Sequence, residues 1–261
     1  MHAAILTDTT KCIGCNECVI ACKKQYHLPE DVPRRWDLND GLGARNWTSV
    51  VEGPEHQFVR KQCRHCLEPA CASVCPVGAL HKTDIGAVAY DPSRCIGCRY
   101  CMMACPYGIP RYDWDRAVPY VRKCILCYDL IRQGRQPACT AACPTKATIF
   151  GDRDELIAEA HRRIRENPGT YIDKVWGEHE LGGTSVLYIS SVDLSFLTGG
   201  QRLGDVPIPA RTQPAMEAVP FAFSSVLAAM AGVNWIIQRR MKLSSGEASP
   251  ESEGEEEKQD G

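Results

Sequence analysis

Every cysteine of this 261-residue chain lies between Cys12 and Cys143, and the 16 fall without remainder into four groups of four. The first is Cys12, Cys15, Cys18 and Cys22, in KCIGCNECVIACK. The second is Cys63, Cys66, Cys71 and Cys75, in QCRHCLEPACASVCP. The third is Cys95, Cys98, Cys101 and Cys105, in RCIGCRYCMMACP, and the fourth is Cys124, Cys127, Cys139 and Cys143, in KCILCYDLIRQGRQPACTAACP. A chain of this length can bury its own core, so the cysteines are not the staples of a mini-protein, which is usually under about 80 residues. With 44% hydrophobic and 24% charged residues the rest is globular in composition. That excludes a collagen-like fibre, a wholly disordered chain and a polytopic membrane protein. The thiols therefore have a chemical task.

Groups one and three carry the spacing C-x2-C-x2-C-x3-C of bacterial ferredoxins, and groups two and four are that run with the third cysteine displaced. Three thiolates two residues apart can wrap a loop around one iron–sulfur cube, with backbone N–H groups turned toward its sulfurs. The fourth, three residues on, points to a neighbouring cube. Pro76, Pro106 and Pro144 follow the fourth cysteine in three groups, where a fixed φ and a missing donor suit a chain leaving the loop; the first group has Lys23 there. The pattern predicts four [4Fe–4S] clusters.

Two other uses of cysteine compete. Structural zinc could be met by Cys124, Cys127, Cys139 and Cys143 alone, and a zinc-binding structural protein is the remote alternative, but zinc leaves three cysteines in seven residues, twice over, unexplained. Disulfides would require secretion of an unfolded chain, and MHAAILTDTTKC shows no basic region followed by an apolar one. Basic residues recur ahead of the groups: Lys11, Lys61, Arg94 and Lys123. Thiolate-ligated clusters are anionic, so each is a candidate for raising a reduction potential, or else a solvated loop charge.

Groups one and three are near-copies, CIGCNECVIAC and CIGCRYCMMAC. PVGAL (Pro76 to Leu80) and PTKATI (Pro144 to Ile149) read as strands, and KTDIGAVAYDPSRC reads as strand, turn, strand. Four such half-repeats make two ferredoxin-like modules of α+β class over residues 1–150. Residues 23–62, with Trp36 and Trp47, are too long for a plain loop and form either an ordered insertion or a docking surface. From Asp152 a helix is predicted, capped by Asp152 or Asp154, with Leu156, Ile157, Ala160 and Ile164 on one face, His161 at the surface, and Pro168-Gly169 at its end. GGTSVLYIS (Gly182 to Ser190) reads as a turn and a strand, and residues 151–217 as a docking extension. No nucleophile–base pair or nucleotide loop stands out, and Gly41 and Gly43 form no phosphate-binding pattern, so no catalytic residue is assigned.

From Ala218 to Gln238 no residue is charged. Such a helix is about 30 Å long, enough to cross the hydrocarbon core of a bilayer. Ala222, Ser225, Ala229 and Gly232 give it a face of small residues, and Pro220 is expected in its first turn. Arg239, Arg240 and Lys242 follow at once, against Arg202 and Arg211 before it, which places residues 239–261 in the cytoplasm and the cluster domain outside. Residues from Ser244 on carry six Glu and one Asp against one Lys and no large apolar side chain, which predicts a disordered acidic tail. The remaining body, at +4, has no basic block of the kind that nucleic acid binds.

CIGCNEC, CASVCPVGAL, CIGCRYCMMACPYGIPRYDW, KCILC, PACTAACPTKATIFGDRDEL and GGTSVLYIS, followed by one C-terminal span, resemble the iron–sulfur (β) subunits of membrane-bound molybdenum or tungsten oxidoreductases. The resemblance runs from about Leu6 to Arg240. It is nearest to formate dehydrogenase and in places equal to the iron–sulfur subunit of membrane-bound nickel–iron hydrogenases.

The resemblance implies two nested modules. Cys12, Cys15, Cys18 and Cys143 would hold one cluster, and Cys124, Cys127, Cys139 and Cys22 another. Cys63, Cys66, Cys71 and Cys105 would hold a third, and Cys95, Cys98, Cys101 and Cys75 the fourth. It further implies a non-catalytic subunit that conducts electrons from a molybdenum/tungsten or nickel–iron catalytic subunit to an integral cytochrome b or other quinone-reducing partner. Formate dehydrogenase is the expected donor, because an exported cluster domain without its own leader can travel on a partner with a twin-arginine signal. A domain that stays inside is the alternative. CRYCMMACPYGIPRYDW leans instead to the hydrogenase.

Overall fold

The computed structural model describes residues 2–29, 40–114, 120–201 and 203–245. Trp36, Arg202 and the acidic residues 246–261 lie outside the described residues. The chain divides into two units, Met1–Arg211 and Thr212–Gly261.

In chain order the elements are β1 (Ala3–Asp8), α1 (Glu17–Gln25), β2 (Thr48–Glu52), β3 (Phe58–Gln62), α2 (Ala70–Ser73), β4 (Leu80–Lys82), β5 (Val88–Tyr90), α3 (Tyr100–Ala104), β6 (Arg111–Tyr112), β7 (Val121–Arg122), α4 (Tyr128–Arg132), α5 (Ala138–Ala141), β8 (Thr148–Asp152), α6 (Arg153–Glu166), β9 (Val186–Ile189) and α7 (Ile208–Ser244). The central sheet has the order β8-β1-β9. β1 pairs antiparallel with β8, Ala3 opposite Asp152 and Thr7 opposite Thr148. It pairs parallel with β9, Ile5 opposite Val186. Three two-stranded hairpins, β2-β3, β4-β5 and β6-β7, accompany it.

β1 is buried on both faces, which is why it reads as an unbroken apolar run. Ala3 and Ile5 pack with Val186, Tyr188 and Leu126 on the side of the cysteine loops. Ala4 and Leu6 pack with Leu187 and Ile189 under α6, which contributes Leu156, Ala160 and Ile164 at successive turns. Asp152 caps α6, its side chain accepting the Asp154 N–H. His161 on this helix is half-exposed and its Nε2 lies 2.9 Å from Glu178.

The structure adds detail at three places. PVGAL and PTKATI lie mostly in turns, with β4 starting at Leu80 and β8 at Thr148, because the chain must first leave the loop of the fourth cysteine. Residues 40–62 form an ordered insertion: Trp47 lies against Tyr26, ring centroids 4.7 Å apart, and its indole N–H donates to Ala44. Residues 151–211 are integral to the first unit, since β9 completes the central sheet. The absence of proline after Cys22 also has a cause. α1 continues through Lys23 to Gln25, whereas α2, α3 and α5 stop before the fourth cysteine of their groups.

α7 is 37 residues long, and its segment in the second unit is apolar enough to cross a membrane. Because it starts at Ile208, Pro220 is inside the helix, not in its first turn, and Pro214 is too. Neither has an N–H for the carbonyl four residues back.

Candidate metal centres

The cysteine loops share one backbone device. In the first C-x-x-C unit of each group the residue before the second cysteine has a positive φ: Gly14 at 69°, His65 at 49°, Gly97 at 70° and Leu126 at 62°. A left-handed residue there folds the loop so that its N–H groups point inward, a concavity suited to anionic groups. The amide of Leu126 donates to Cys124 Sγ at 3.4 Å, and Gly14 donates to Cys12 in the same way. The glycine is required at position 14, where a Cβ would stand 2.8 Å from the ring of Phe58.

The loops bring the thiols into four sets. Cys12 lies within electrostatic reach of Cys143 and Cys15, and Cys18 of Cys12 and Cys15. Cys22 leaves its own group and faces Cys124, Cys139 and Cys127. Cys66 faces Cys63, Cys105 and Cys71. Cys101 faces Cys95, Cys98 and Cys75. The sets also adjoin in one order, through Cys18 beside Cys139, Cys124 beside Cys63, and Cys71 beside Cys101. Cys15 and Cys98, the exposed thiols, belong to the two terminal sets, each next to an exposed isoleucine, Ile13 or Ile96.

Two sets line pockets. Cys22, Cys124, Cys127 and Cys139 line one with Ile5, Leu126 and Gln62. Cys75, Cys95, Cys98 and Cys101 line the other with Leu80, Tyr112 and Val121. Among the described residues no three His, Cys, Asp or Glu side chains converge closely enough for a single metal ion. Thiols that surround a common space without converging on one point fit a cube bearing iron at four corners better than one tetrahedral zinc.

The electrostatics agree with an anionic guest that brings its own iron. Burial pushes the Cys18 and Cys71 thiols up to about 12, and raises Cys22, Cys66 and Cys124 as well. Such thiols become thiolates only when a metal replaces the proton. At Cys143 burial acts upward too, but the N–H groups of Thr148 and Ala147 and the Thr145 hydroxyl outweigh it and hold the thiol below its usual value. Tyr112 Oη lies 3.5 Å from Cys101 Sγ, and Tyr26 is hydrogen-bonded to Cys127.

Of the basic residues singled out from sequence, Lys123 alone is buried among the thiols, its Nζ donating to the carbonyls of Val88 and Cys124 while its charge acts on Cys71. Lys11, Lys61 and Arg94 pair with Asp8, Asp40 and Asp91, which offsets the charge each was expected to offer. The sequence does not single out Lys82 or Arg60. Lys82 donates to the carbonyls of His65 and Cys66, and burial lowers it to about 8. Arg60 is buried beside Cys18 and Cys139.

Comparison with known proteins agrees with this geometry. Two different family models, each described as a 4Fe-4S dicluster domain, match residues 11–79 and 54–153. A protein of Nitratidesulfovibrio vulgaris strain Hildenborough is 41% identical over 254 residues, spanning 93% of this chain and 69% of the relative. Hydrogenase-2 operon protein HybA of Escherichia coli O157:H7 is 34% identical over 279 residues, 91% of this chain and 84% of the relative. The B subunit of anaerobic dimethyl sulfoxide reductase from Escherichia coli K12 is 39% identical over 158 residues, 57% of this chain and 73% of the relative. The chain therefore belongs to the 4Fe-4S dicluster family of iron–sulfur subunits that includes hydrogenase-2 operon protein HybA and the B subunit of anaerobic dimethyl sulfoxide reductase.

Proposed function

We propose that this chain is the electron-conducting subunit of a membrane oxidoreductase, set between a catalytic subunit and an integral, quinone-reducing partner. The observation that carries this reading is the order of the four thiol sets, each adjoining the next, with exposed thiols at both ends. When bound, four [4Fe–4S] clusters supply one-electron transfer without proton or atom transfer. The ligand sets are Cys12, Cys15, Cys18 and Cys143; Cys22, Cys124, Cys127 and Cys139; Cys63, Cys66, Cys71 and Cys105; and Cys75, Cys95, Cys98 and Cys101. Apolar side chains such as Ile5 and Leu126 at one pocket and Leu80 and Val121 at the other limit water near the thiols, which favours small reorganisation on electron transfer. α7 is the proposed anchor, and Arg239, Arg240 and Lys242 at its end support an orientation with the C-terminal tail in the cytoplasm and the cluster domain outside.

For the catalytic partner, the match running through 84% of HybA supports a nickel–iron hydrogenase. The match to the dimethyl sulfoxide reductase B subunit supports a molybdoenzyme, the class that contains the formate dehydrogenase expected from the sequence. Purification of the intact complex in detergent tests both levels. About sixteen iron and sixteen acid-labile sulfide per chain are expected, and zinc without sulfide would overturn the conduction reading. Nickel in the co-purifying subunit selects the hydrogenase, and molybdenum or tungsten selects the molybdoenzyme.

A further inference from the structure

β3 breaks the rule that a strand turns its polar residues to water. Lys61 obeys it, pairing with Asp40 at 3.1 Å, and Val59 packs into the core beside Ile5 and Tyr188. Arg60 and Gln62 alternate with these, and each is 1% exposed. Nε, Nη1 and Nη2 of Arg60 have no hydrogen-bond partner of regular geometry, nor do Oε1 and Nε2 of Gln62. Desolvating a guanidinium is among the most expensive burials a protein can make, and it persists only where something compensates the charge. Among the described residues no carboxylate hydrogen-bonds to it. The groups that interact with Arg60 are Cys139, Cys18 and Tyr188, and Arg60 in turn interacts with Cys12, Cys22 and Cys127. The Tyr188 hydroxyl fixes the strand by donating to the Arg60 carbonyl at 2.8 Å. Gln62 lines the pocket of Cys22, Cys124, Cys127 and Cys139.

We propose that Arg60, supported by Gln62, is a fixed N–H donor and cation shared by the two groups held on Cys12, Cys15, Cys18 and Cys143 and on Cys22, Cys124, Cys127 and Cys139, and that it holds their reduction potentials above those they would have without it. This rests on the cluster-binding reading above. A cation between two anionic centres stabilises the reduced, more negative state of each, and N–H donors to sulfur act in the same direction. The planar fork of arginine can serve two centres at once, which the point charge of lysine cannot. Arg60 is thus a tuning residue, delivered by the insertion between cysteine groups one and two and not by a cluster loop.

The test is an anaerobic redox titration followed by EPR on the intact detergent-solubilised complex, comparing wild type, R60K and R60M at equal iron content. Two of the four midpoints are expected to fall in R60M, and the same two to fall by less in R60K, with the other two in place. Four unchanged midpoints in R60M overturn the proposal, as does an equal shift of all four. If R60M does not assemble, R60K carries the test, and unchanged midpoints there overturn it. A wild-type chain without the expected iron and sulfide would instead fail the function proposed above, which keeps the two failures apart.

Discussion

Nδ1 of His65 accepts the backbone N–H of Val88 at 2.9 Å, so a side chain inside one cysteine loop closes the edge of the β4-β5 hairpin. The imidazole is wholly buried, and burial, with Lys123 and Lys82 nearby, keeps it well below the usual histidine value and therefore neutral. The proton sits on Nε2. Replacing His65 with Ala orphans the Val88 amide, opens a cavity and leaves an ordinary residue at a positive φ. A loss of about 3 kcal/mol is expected, read as a lower midpoint for urea-induced bleaching of the visible absorption.

Gly14 and Gly134 share a left-handed backbone, φ 69° and 73°, but differ in surroundings. A Cβ at Gly14 meets Phe58, whereas at Gly134 it meets nothing within 4 Å. Gly134→Ala should cost about 1 kcal/mol from backbone strain. Gly14→Ala adds overpacking, for a total of about 2 to 4 kcal/mol. Comparison of the two unfolding midpoints checks the difference.

The neighbour relations of Cys12 and Cys143 separate nested ligation from ligation group by group. Removing both thiols in one chain should lose one cluster, about four iron out of about sixteen, if they serve the same cube. About eight would be lost if they serve two. Iron and sulfide analysis of C12A/C143A reads the answer directly.

Asp152 joins the chain's start to α6, accepting the His2 N–H at 2.8 Å on one oxygen and the Asp154 N–H at 3.1 Å on the other. These amides, His2 first, hold its carboxyl below the ordinary value. Its folded pKa is therefore lower than its unfolded one, so its contribution is complete at neutral pH and is lost as pH falls below about 4. Asp152→Ala should cost about 1 kcal/mol at pH 7. Asp152→Asn keeps a cap acceptor, and its stability should lose this component of the acid dependence in thermal melts at pH 3 to 7.

Removal of residues 212–261 should move the chain from the detergent-extracted membrane fraction to the soluble fraction with its visible spectrum retained. Immunoblotting of the two fractions checks it. A truncated chain that stays on carbonate-washed membranes would show that α7 is not the anchor.

The cysteine groups were legible because metal ligation demands fixed residue types at fixed spacing, and α6 was legible because Leu156, Ala160 and Ile164 recur with the helical period. Arg60 and Gln62 were not. In FVRKQ the alternation of Val with polar residues reads as one face in water, and only the thiols across the gap make a buried cation sensible. The left-handed turns at His65 and Leu126 were hidden for a related reason, since neither residue type favours that conformation and the loop imposes it. The parallel pairing of β9 with β1 joins segments about 180 residues apart, which no local pattern encodes.

That pairing also fixes a timetable for biosynthesis. β1 leaves the ribosome first, yet its partners β8 and β9 follow only after residue 148, on the order of ten seconds later at ordinary rates of translation. On the ligand sets proposed above, the stretch from Cys63 to Cys105 can close while β1 is still waiting. On those sets the newborn chain would mature from the middle outward, with Cys12, Cys15 and Cys18 open, without Cys143, for the longest interval. They are the thiols most in need of protection from oxygen and stray metal until the C-terminal half arrives.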